Sequence, residues 1–110
     1  VLLDRFVDSS LAYQGGGRGL GVERIRALNE FGTGGLTPDR TILLRIDPAA
    51  GLARIAGREA DRLENAGDEF FARVAHTYDE LAAAEPDRFV VIDATQPPDA
   101  VLRAALAALA

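Results

Sequence analysis

The stretch DRFVDSSLAYQGGGRG, near the start of the chain, concentrates side chains that could bind a phosphorylated ligand. It opens with Asp4 and Arg5, directly after an apolar run. The guanidinium fork of Arg5 could hold a phosphate through two parallel hydrogen bonds. Asp4 could orient that fork or contact a metal-bound water. The alternative interpretation, a buried ion pair at the end of a strand, is the commoner role of an isolated Asp-Arg pair.

Three polar or aromatic side chains follow at helical spacing. Ser10 lies three residues before Tyr13 and four before Gln14, so on a helix the three share a face. The Gln14 amide offers both a donor and an acceptor, as a pyrimidine edge requires, and Tyr13 offers a flat apolar surface to a ring or sugar. The alternative is a helix start capped by Asp8 or Ser9, with Tyr13 in the core.

Two other motifs carry weaker signals. The glycines 15–17 with Arg18 do not form a nucleoside-triphosphate loop, because they lack a Lys-Ser or Lys-Thr ending and follow helical residues. We interpret them as a spacer that brings the next helix close. His76 is the only histidine, and we expect it on the surface. With one histidine and no cysteine, neither a zinc site nor a serine hydrolase is supported.

Arginines recur every four residues in a glycine-punctuated segment, at Arg54, Arg58 and Arg62. A lid bearing arginines can neutralise charge on a transferring phosphoryl group. The alternative is a solvated helix face, because neighbouring acidic residues could pair with these arginines along the helix. From the spacing alone, the solvated face is favoured.

The hydrophobic pattern alternates strands with the helices that would position these residues. Apolar runs predict strands at 1–3, 41–46 and 88–93. Helices are predicted over 8–31 (interrupted at 15–21 and stopped by glycines at 32–35), from an Asp47 cap, from Asp68 to Pro86, and near the end of the chain. This order favours a parallel α/β sheet of about three strands with flanking helices. Ligands bind such sheets beyond the carboxyl ends of the strands.

Composition limits the function classes. The 110 residues suit one domain, and a net charge of −5 argues against nucleic acid binding. We find no apolar run that could cross a bilayer and no leader, and the absence of cysteine suits the cytoplasm. We therefore expect a cytoplasmic protein that binds neither nucleic acid nor membrane. The start inside a predicted strand, without methionine, suggests part of a longer protein.

The motifs together resemble the bacterial thymidylate kinase family over the whole chain. LLDRFVDSSLAYQGGGRGLG is similar to its Asp-Arg-aromatic and Ala-Tyr-Gln-Gly signature, and PDRTILLRIDPAAGLAR to its next strand and helix. GREADRLE resembles its lid, about residues 56–65, and VVIDATQPPDAV its last strand and adenine-side loop. The resemblance implies that residues 1–110 are the C-terminal part of a single P-loop NTPase-type domain, whose phosphate loop precedes Val1.

The resemblance also implies an activity, Mg²⁺-assisted transfer of a phosphoryl group from ATP to dTMP, and a role for each site residue. Arg5 would bind the dTMP phosphate, and Asp4 would help to place the phosphate or the metal. Ser10 and Gln14 would bind the thymine edge, and Tyr13 would pack near the deoxyribose. The implied ATP and lid residues are Arg54, Arg58, Arg62, Thr95 and Gln96, with Arg58 and Arg62 as catalytic residues.

Three further expectations follow from the resemblance. The chain alone is expected to be inactive or nearly so, because the phosphate loop would lie outside it. A homodimer is implied, with Val22, Ile25 and Leu28 as a candidate face, although a monomer could bury that face internally. The competing function is a non-catalytic nucleotide-binding or interaction module derived from a kinase. A more distant alternative is another nucleoside monophosphate kinase, in which Gln14 reads a different base.

Overall fold

The computed structural model describes residues 1–47 and 68–110. In chain order these residues form α1 (Val7–Ser10), a π-helical segment (Leu11–Gly17), α2 (Val22–Thr33), β1 (Thr41–Arg45), α3 (Asp68–Ala84), β2 (Phe89–Asp93) and α4 (Pro98–Leu109). Positions 48–67 lie outside the described residues. The predicted helix after Asp47, the predicted lid and its arginines Arg54, Arg58 and Arg62 fall there.

The two strands form a parallel sheet flanked by helices. Thr41 lies opposite Phe89, and Arg45 lies opposite Asp93. Both strands are rich in β-branched and other large apolar residues, which pack well on a pleated surface. Parallel strands need a long crossover, and α3 lies between these two in the chain. The sheet confirms the predicted parallel α/β class.

The strand predicted at 1–3 is absent from the structure. Val1 and Leu2 are exposed, and neither β1 nor β2 pairs with this run. A strand needs a neighbour that satisfies its backbone N–H and C=O groups. Among the described residues the sheet consists of β1 and β2 alone. The prediction of about three strands is therefore wrong for this part of the chain, which has two.

One hydrophobic cluster joins the helices to the sheet. Its buried members are Leu11, Ile25, Leu43, Leu81 and Phe89. Val22 packs against this cluster, whereas Leu28 is exposed. Two of the three residues expected on a dimer face thus point into the chain's own core, so that face is wrong as predicted. The reason is that this stripe of α2 turns toward the π-helical segment and the core cluster.

The glycine-rich segment departs from the predicted interruption. The helix continues through Gly17 as a π-helix, closed by a hydrogen bond of 2.9 Å from Arg18 N–H to the Tyr13 carbonyl. A Cβ at Gly16 would lie 1.8 Å from the Thr77 hydroxyl oxygen, so only glycine allows this approach to α3. A Cβ at Gly15 would lie 2.8 Å from Cα of Val22, which supports the interpretation as a spacer.

The helix ends follow the predicted signals. After α2, Gly34 adopts a left-handed conformation with φ of +65°, which ends a helix at low steric cost. α3 ends two residues before Pro86, and Pro98 occupies the first position of α4. In the part of the chain that the structure describes, no helix has the length and apolarity needed to span a membrane.

Candidate functional site

Arg5 lies against the ring of Tyr13. Its Nη2 donates to the Tyr13 hydroxyl at 3.4 Å, and Cζ lies 5.1 Å from the ring centroid, which permits a cation–π contact. The Arg5 backbone has a φ of +64°, in the left-handed region. Asp4 and Arg5 are both exposed, and no described carboxylate forms an ion pair with Arg5. The buried ion pair considered for this dipeptide is therefore wrong.

Tyr13 belongs to an aromatic cluster between the π-helical segment and α3. Its ring centroid lies 6.2 Å from that of Phe70 and 6.4 Å from that of Tyr78, with the Tyr78 contact edge-on. Phe70 in turn contacts Phe71, and Arg18 lies over the Phe70 ring with Cζ 5.8 Å from its centroid. Aromatic pairs in these geometries are attractive. They fix the position of the half-buried Tyr13 ring.

Ser9 and Tyr78 form a hydrogen bond that the sequence did not indicate. Their hydroxyl oxygens are 3.0 Å apart. Burial raises the pKa of the Tyr78 phenol, and the hydrogen bond with Ser9 partly opposes this shift. The Tyr78 side chain is partly buried and packs against the core cluster. Sequence spacing could not predict the hydrogen bond of the Tyr78 hydroxyl, because its partner Ser9 is 69 residues away.

Ser10 and Gln14 lie on the same helical stretch as Tyr13. Ser10 is the last residue of α1 and is half-buried, whereas Gln14 lies in the π-helical segment and is exposed. Neither side chain is hydrogen-bonded within the described residues. A π-helix has more residues per turn than an α-helix, so the α-helical spacing used for the prediction does not extend beyond Ser10.

Arg73 closes the glycine-rich end of this stretch. Its Nε and Nη2 donate to the Gly17 carbonyl oxygen at 3.0 and 2.8 Å. Carbonyl groups at the end of a helix have no partner within the helix, and a basic side chain can satisfy them. α1 and the π-helical segment together form one helix, which we call the site helix (residues 7–17). Arg73 therefore ties the end of the site helix to α3, a role that the sequence did not indicate.

Asp8 does not cap α1, contrary to one of the interpretations above. The N-cap residue is Phe6, and no side chain bonds there. Asp8 is instead buried and forms a bidentate ion pair with Arg88, with N–O distances of 2.9 and 3.0 Å. The hydrogen bond with Asp8 is the main cause that raises the pKa of Arg88. The Arg88 hydrogen bond likewise lowers the pKa of the Glu85 carboxyl.

Thr95 and Gln96 lie just after the carboxyl end of β2. The backbone N–H and hydroxyl of Thr95 donate to Asp93 Oδ1 at 2.9 and 2.6 Å, and the Gln96 amide donates to the Asp93 carbonyl at 2.9 Å. These bonds hold an exposed turn before α4. The expected position beyond a strand end is confirmed.

Arg45 fixes the carboxyl end of β1 to α3. Its Nε and Nη2 donate to the two carboxylate oxygens of Asp79 at 2.7 and 3.0 Å. The hydrogen bond with Asp79 raises the pKa of Arg45. This ion pair holds the end of β1 against α3 at Asp79, next to Tyr78.

His76 lies on the surface as expected. Its Nε2 is 2.7 Å from a Glu80 carboxylate oxygen, and both side chains are mostly exposed. Within residues 1–47 and 68–110, no three His, Cys, Asp or Glu side chains gather as a metal site.

Comparison with known proteins gives one family. The family model described as thymidylate kinase matches residues 1–105. The thymidylate kinases of Deinococcus radiodurans and Bifidobacterium longum are 55% and 54% identical over 100 and 101 residues, covering 90% and 92% of this chain and 48% of each relative. That of Pseudomonas putida is 50% identical over 105 residues, 94% of this chain and 51% of the relative. The chain spans about half the length of these curated relatives. It belongs to the thymidylate kinase family.

Proposed function

We propose that the complete protein containing this chain transfers the γ-phosphoryl group of ATP to dTMP and yields dTDP. Family membership supports the reaction class. The observation that carries the proposal is the exposed Arg5 guanidinium, which lies over the Tyr13 ring and has no carboxylate partner among the described residues. A cationic fork beside an aromatic ring suits a ligand that combines a phosphate with a ring.

The acceptor side of the proposed site consists of residues 4–14. Arg5 binds the dTMP phosphate, and its fork lowers the charge repulsion that an attacking phosphate oxygen meets at the γ-phosphorus. Ser10 and Gln14 read the thymine edge by hydrogen bonds. Tyr13 packs against the deoxyribose and disfavours a 2′-hydroxyl. The contacts of Tyr13 with Phe70 and Tyr78 support this role, since they hold the ring in place.

The donor side combines the lid with the turn after β2. Arg54, Arg58 and Arg62 are proposed to supply positive charge from the lid, with Arg58 and Arg62 neutralising charge on the transferring group, and an arginine in this role contributes about 10³–10⁵ in rate. Thr95 and Gln96 border the adenine. Their hydrogen bonds to Asp93 support a preformed wall there.

Mg²⁺ is proposed to enter with ATP, whose phosphate charge it offsets when bound. Asp4 is the residue of this chain that suits a contact with it. Its carboxylate is exposed, and Mg²⁺ usually keeps several waters, so a contact through water fits this residue. Phosphoryl transfer then needs positioning and electrostatic stabilisation from the protein rather than a covalent intermediate.

Arg5→Ala in the complete protein tests the phosphate clamp. We expect kcat/KM for dTMP to fall about 10²-fold or more, as when one preorganised donor is removed. Arg103→Ala is the matched control, because Arg103 is an exposed arginine of α4 paired only with Asp99 among the described residues. Turnover of Arg5→Ala near that of the control would refute the clamp.

Two further measurements separate the competing functions. Wild-type turnover of dTMP against dUMP, dCMP and dGMP tests base choice. Preference for another nucleotide would mean that Gln14 reads that base instead of thymine. We also propose that the 110-residue chain alone is inactive, which the same assay tests. Nucleotide binding by the complete protein without phosphoryl transfer would favour the non-catalytic module.

We also propose that the complete protein is a homodimer. Leu28 and Phe31 support this, because they lie one turn apart on α2 and are 69% and 92% exposed. A contiguous exposed apolar surface is typical of a protein–protein interface.

A further inference from the structure

Arg88 is the centre of a partly buried polar network that joins four elements. Nη1 donates to Asp8 Oδ2 at 2.9 Å and to the Thr41 hydroxyl at 2.6 Å. Nη2 donates to Asp8 Oδ1 at 3.0 Å and to the Glu85 carboxylate at 2.6 Å. Asp8 lies in α1, Thr41 begins β1, Glu85 follows α3, and Arg88 precedes β2. One guanidinium therefore fixes the first turn of the site helix relative to the sheet.

The network is a costly way to obtain stability alone. The side chains of Arg88 and Asp8 are 12% and 10% exposed, so both charges have lost most of their water. Arg88 Nε–H is also buried, and it has no hydrogen-bond partner among the residues that the structure describes. The desolvation of a buried ion pair offsets much of its attraction, and apolar side chains of similar volume often stabilise a protein as well or better. What the fork adds is a fixed geometry, since its bidentate bonds tolerate little displacement.

The fixed turn leads directly into the residues assigned to dTMP. Asp8 is followed by Ser9, whose hydroxyl bonds to that of Tyr78, and then by Ser10. The helix continues without a break to Tyr13, which packs against Tyr78. A shift of Asp8 would thus move the helix backbone that carries Ser10, Tyr13 and Gln14, the residues assigned to dTMP.

We propose that Arg88 is a positioning residue for dTMP, which through Asp8 sets the place of Ser10, Tyr13 and Gln14 relative to the sheet. This inference rests on the proposed function. Arg88 touches neither substrate and acts only through the site helix. Its loss should therefore weaken dTMP use while leaving ATP use nearly unchanged.

The test measures steady-state kinetics of the complete protein with Arg88→Lys and Asp8→Asn. Lysine keeps the charge but loses the fork, and asparagine keeps the shape but cannot accept both guanidinium bonds. We expect KM for dTMP to rise about 10-fold or more, because small misplacements in a site cost up to about 100-fold. KM for ATP should stay within about twofold, since a split between the two substrates marks a local effect. Arg103→Lys is the control at an exposed pair.

Thermal unfolding of each variant identifies a purely structural role. A folded variant whose dTMP KM is unchanged, or whose two KM values rise together, would overturn the inference. Loss of folding in both variants would assign the network to stability alone and overturn it as well. The proposed function fails by a different result, which is a wild-type protein that does not phosphorylate dTMP.

Discussion

Arg5 combines a strained backbone with a side chain held by an aromatic ring. Its φ of +64° is uncommon for a residue with a Cβ, which crowds the following carbonyl there. Non-glycine residues in this region cluster at ligand sites, where the surrounding structure maintains the strain. The hydrogen bond to the Tyr13 hydroxyl and the contact with its ring direct the guanidinium. Backbone and ring together orient the donors proposed for phosphate.

Tyr78 should make the free energy of unfolding decrease at alkaline pH. Because burial raises its pKa in the folded state, the phenol ionises more readily in the unfolded chain. Its contribution is complete below about pH 10, the ordinary pKa of tyrosine, and is lost as the pH rises toward the folded value. Tyr78→Phe should therefore lose less stability than the wild type between about pH 9 and 11.

The measurement is the free energy of unfolding in urea at a series of pH values. At neutral pH, Tyr78→Phe should cost about 1 kcal/mol for the lost hydrogen bond to Ser9. Ser9→Ala is the matched variant. It removes the bond that lowers the folded-state pKa of Tyr78, so the alkaline loss should begin at the same pH as in the wild type but continue to a higher pH and become larger. Identical pH profiles for wild type and Tyr78→Phe would contradict the prediction.

Residue types indicated the candidate side chains, but not all of their contacts. Arg5 and Tyr13 were chosen for their chemistry, and the structure brings them together. Asp8 was considered, with Ser9, as an alternative helix cap, and its ion pair was not foreseen because its partner Arg88 is 80 residues away. Local spacing contains the signals for caps and helix faces, whereas a buried ion pair depends on how distant elements pack. The roles of Ser10 and Gln14 stay predictions.

At the scale of elements, runs with a clear period were predicted well. The strands at Thr41–Arg45 and Phe89–Asp93 and the long helix ending before Pro86 lie where their patterns indicated, and their parallel arrangement fits the P-loop NTPase-type fold of the family. The predicted strand at 1–3 failed because apolar composition does not supply a pairing partner. The predicted helix interruption at the glycines was wrong because these residues are glycine for a tertiary reason, namely the close contact with α3.

Gly16→Ala tests that close contact. The new Cβ would lie 1.8 Å from the Thr77 hydroxyl oxygen and 2.8 Å from Thr77 Cβ, so the helices must separate. We expect a loss of about 1–3 kcal/mol in the free energy of unfolding, which is typical of overpacking. Gly32→Ala in α2 is the control, since nothing lies within 4 Å of a Cβ there.

The control should change stability in the opposite direction. Alanine in a helix is favoured over glycine by about 1 kcal/mol, so Gly32→Ala should stabilise the protein. Thr77→Ala combined with Gly16→Ala should recover part of the loss, because it removes the nearest atom. Equal stabilities for the Gly16 and Gly32 variants would show that the contact with α3 does not restrict position 16.

At the scale of the molecule, apolar side chains remain on the surface of α2 and of the loops beside it. Leu28 and Phe31 of α2 are exposed, as are Leu20 before the helix and Leu36 after it, whereas Ile25 points into the core. The helix thus has one apolar stripe that the chain buries and a second that it leaves exposed. The sequence showed apolar residues at helical spacing but could not divide them between a buried and an exposed set, because that depends on how α2 is rotated against the π-helical segment.

The exposed stripe makes the homodimer testable. Phe31→Glu should convert the complete protein from dimer to monomer, because a buried carboxylate without a partner is costly at an interface. Sedimentation velocity at micromolar concentration measures the change in mass. Arg24→Gln is the control, since Arg24 is an exposed residue of the same helix and the substitution changes the net charge by the same amount. A wild-type monomer would refute the dimer itself, whereas a dimeric Phe31→Glu variant would place the interface on another surface.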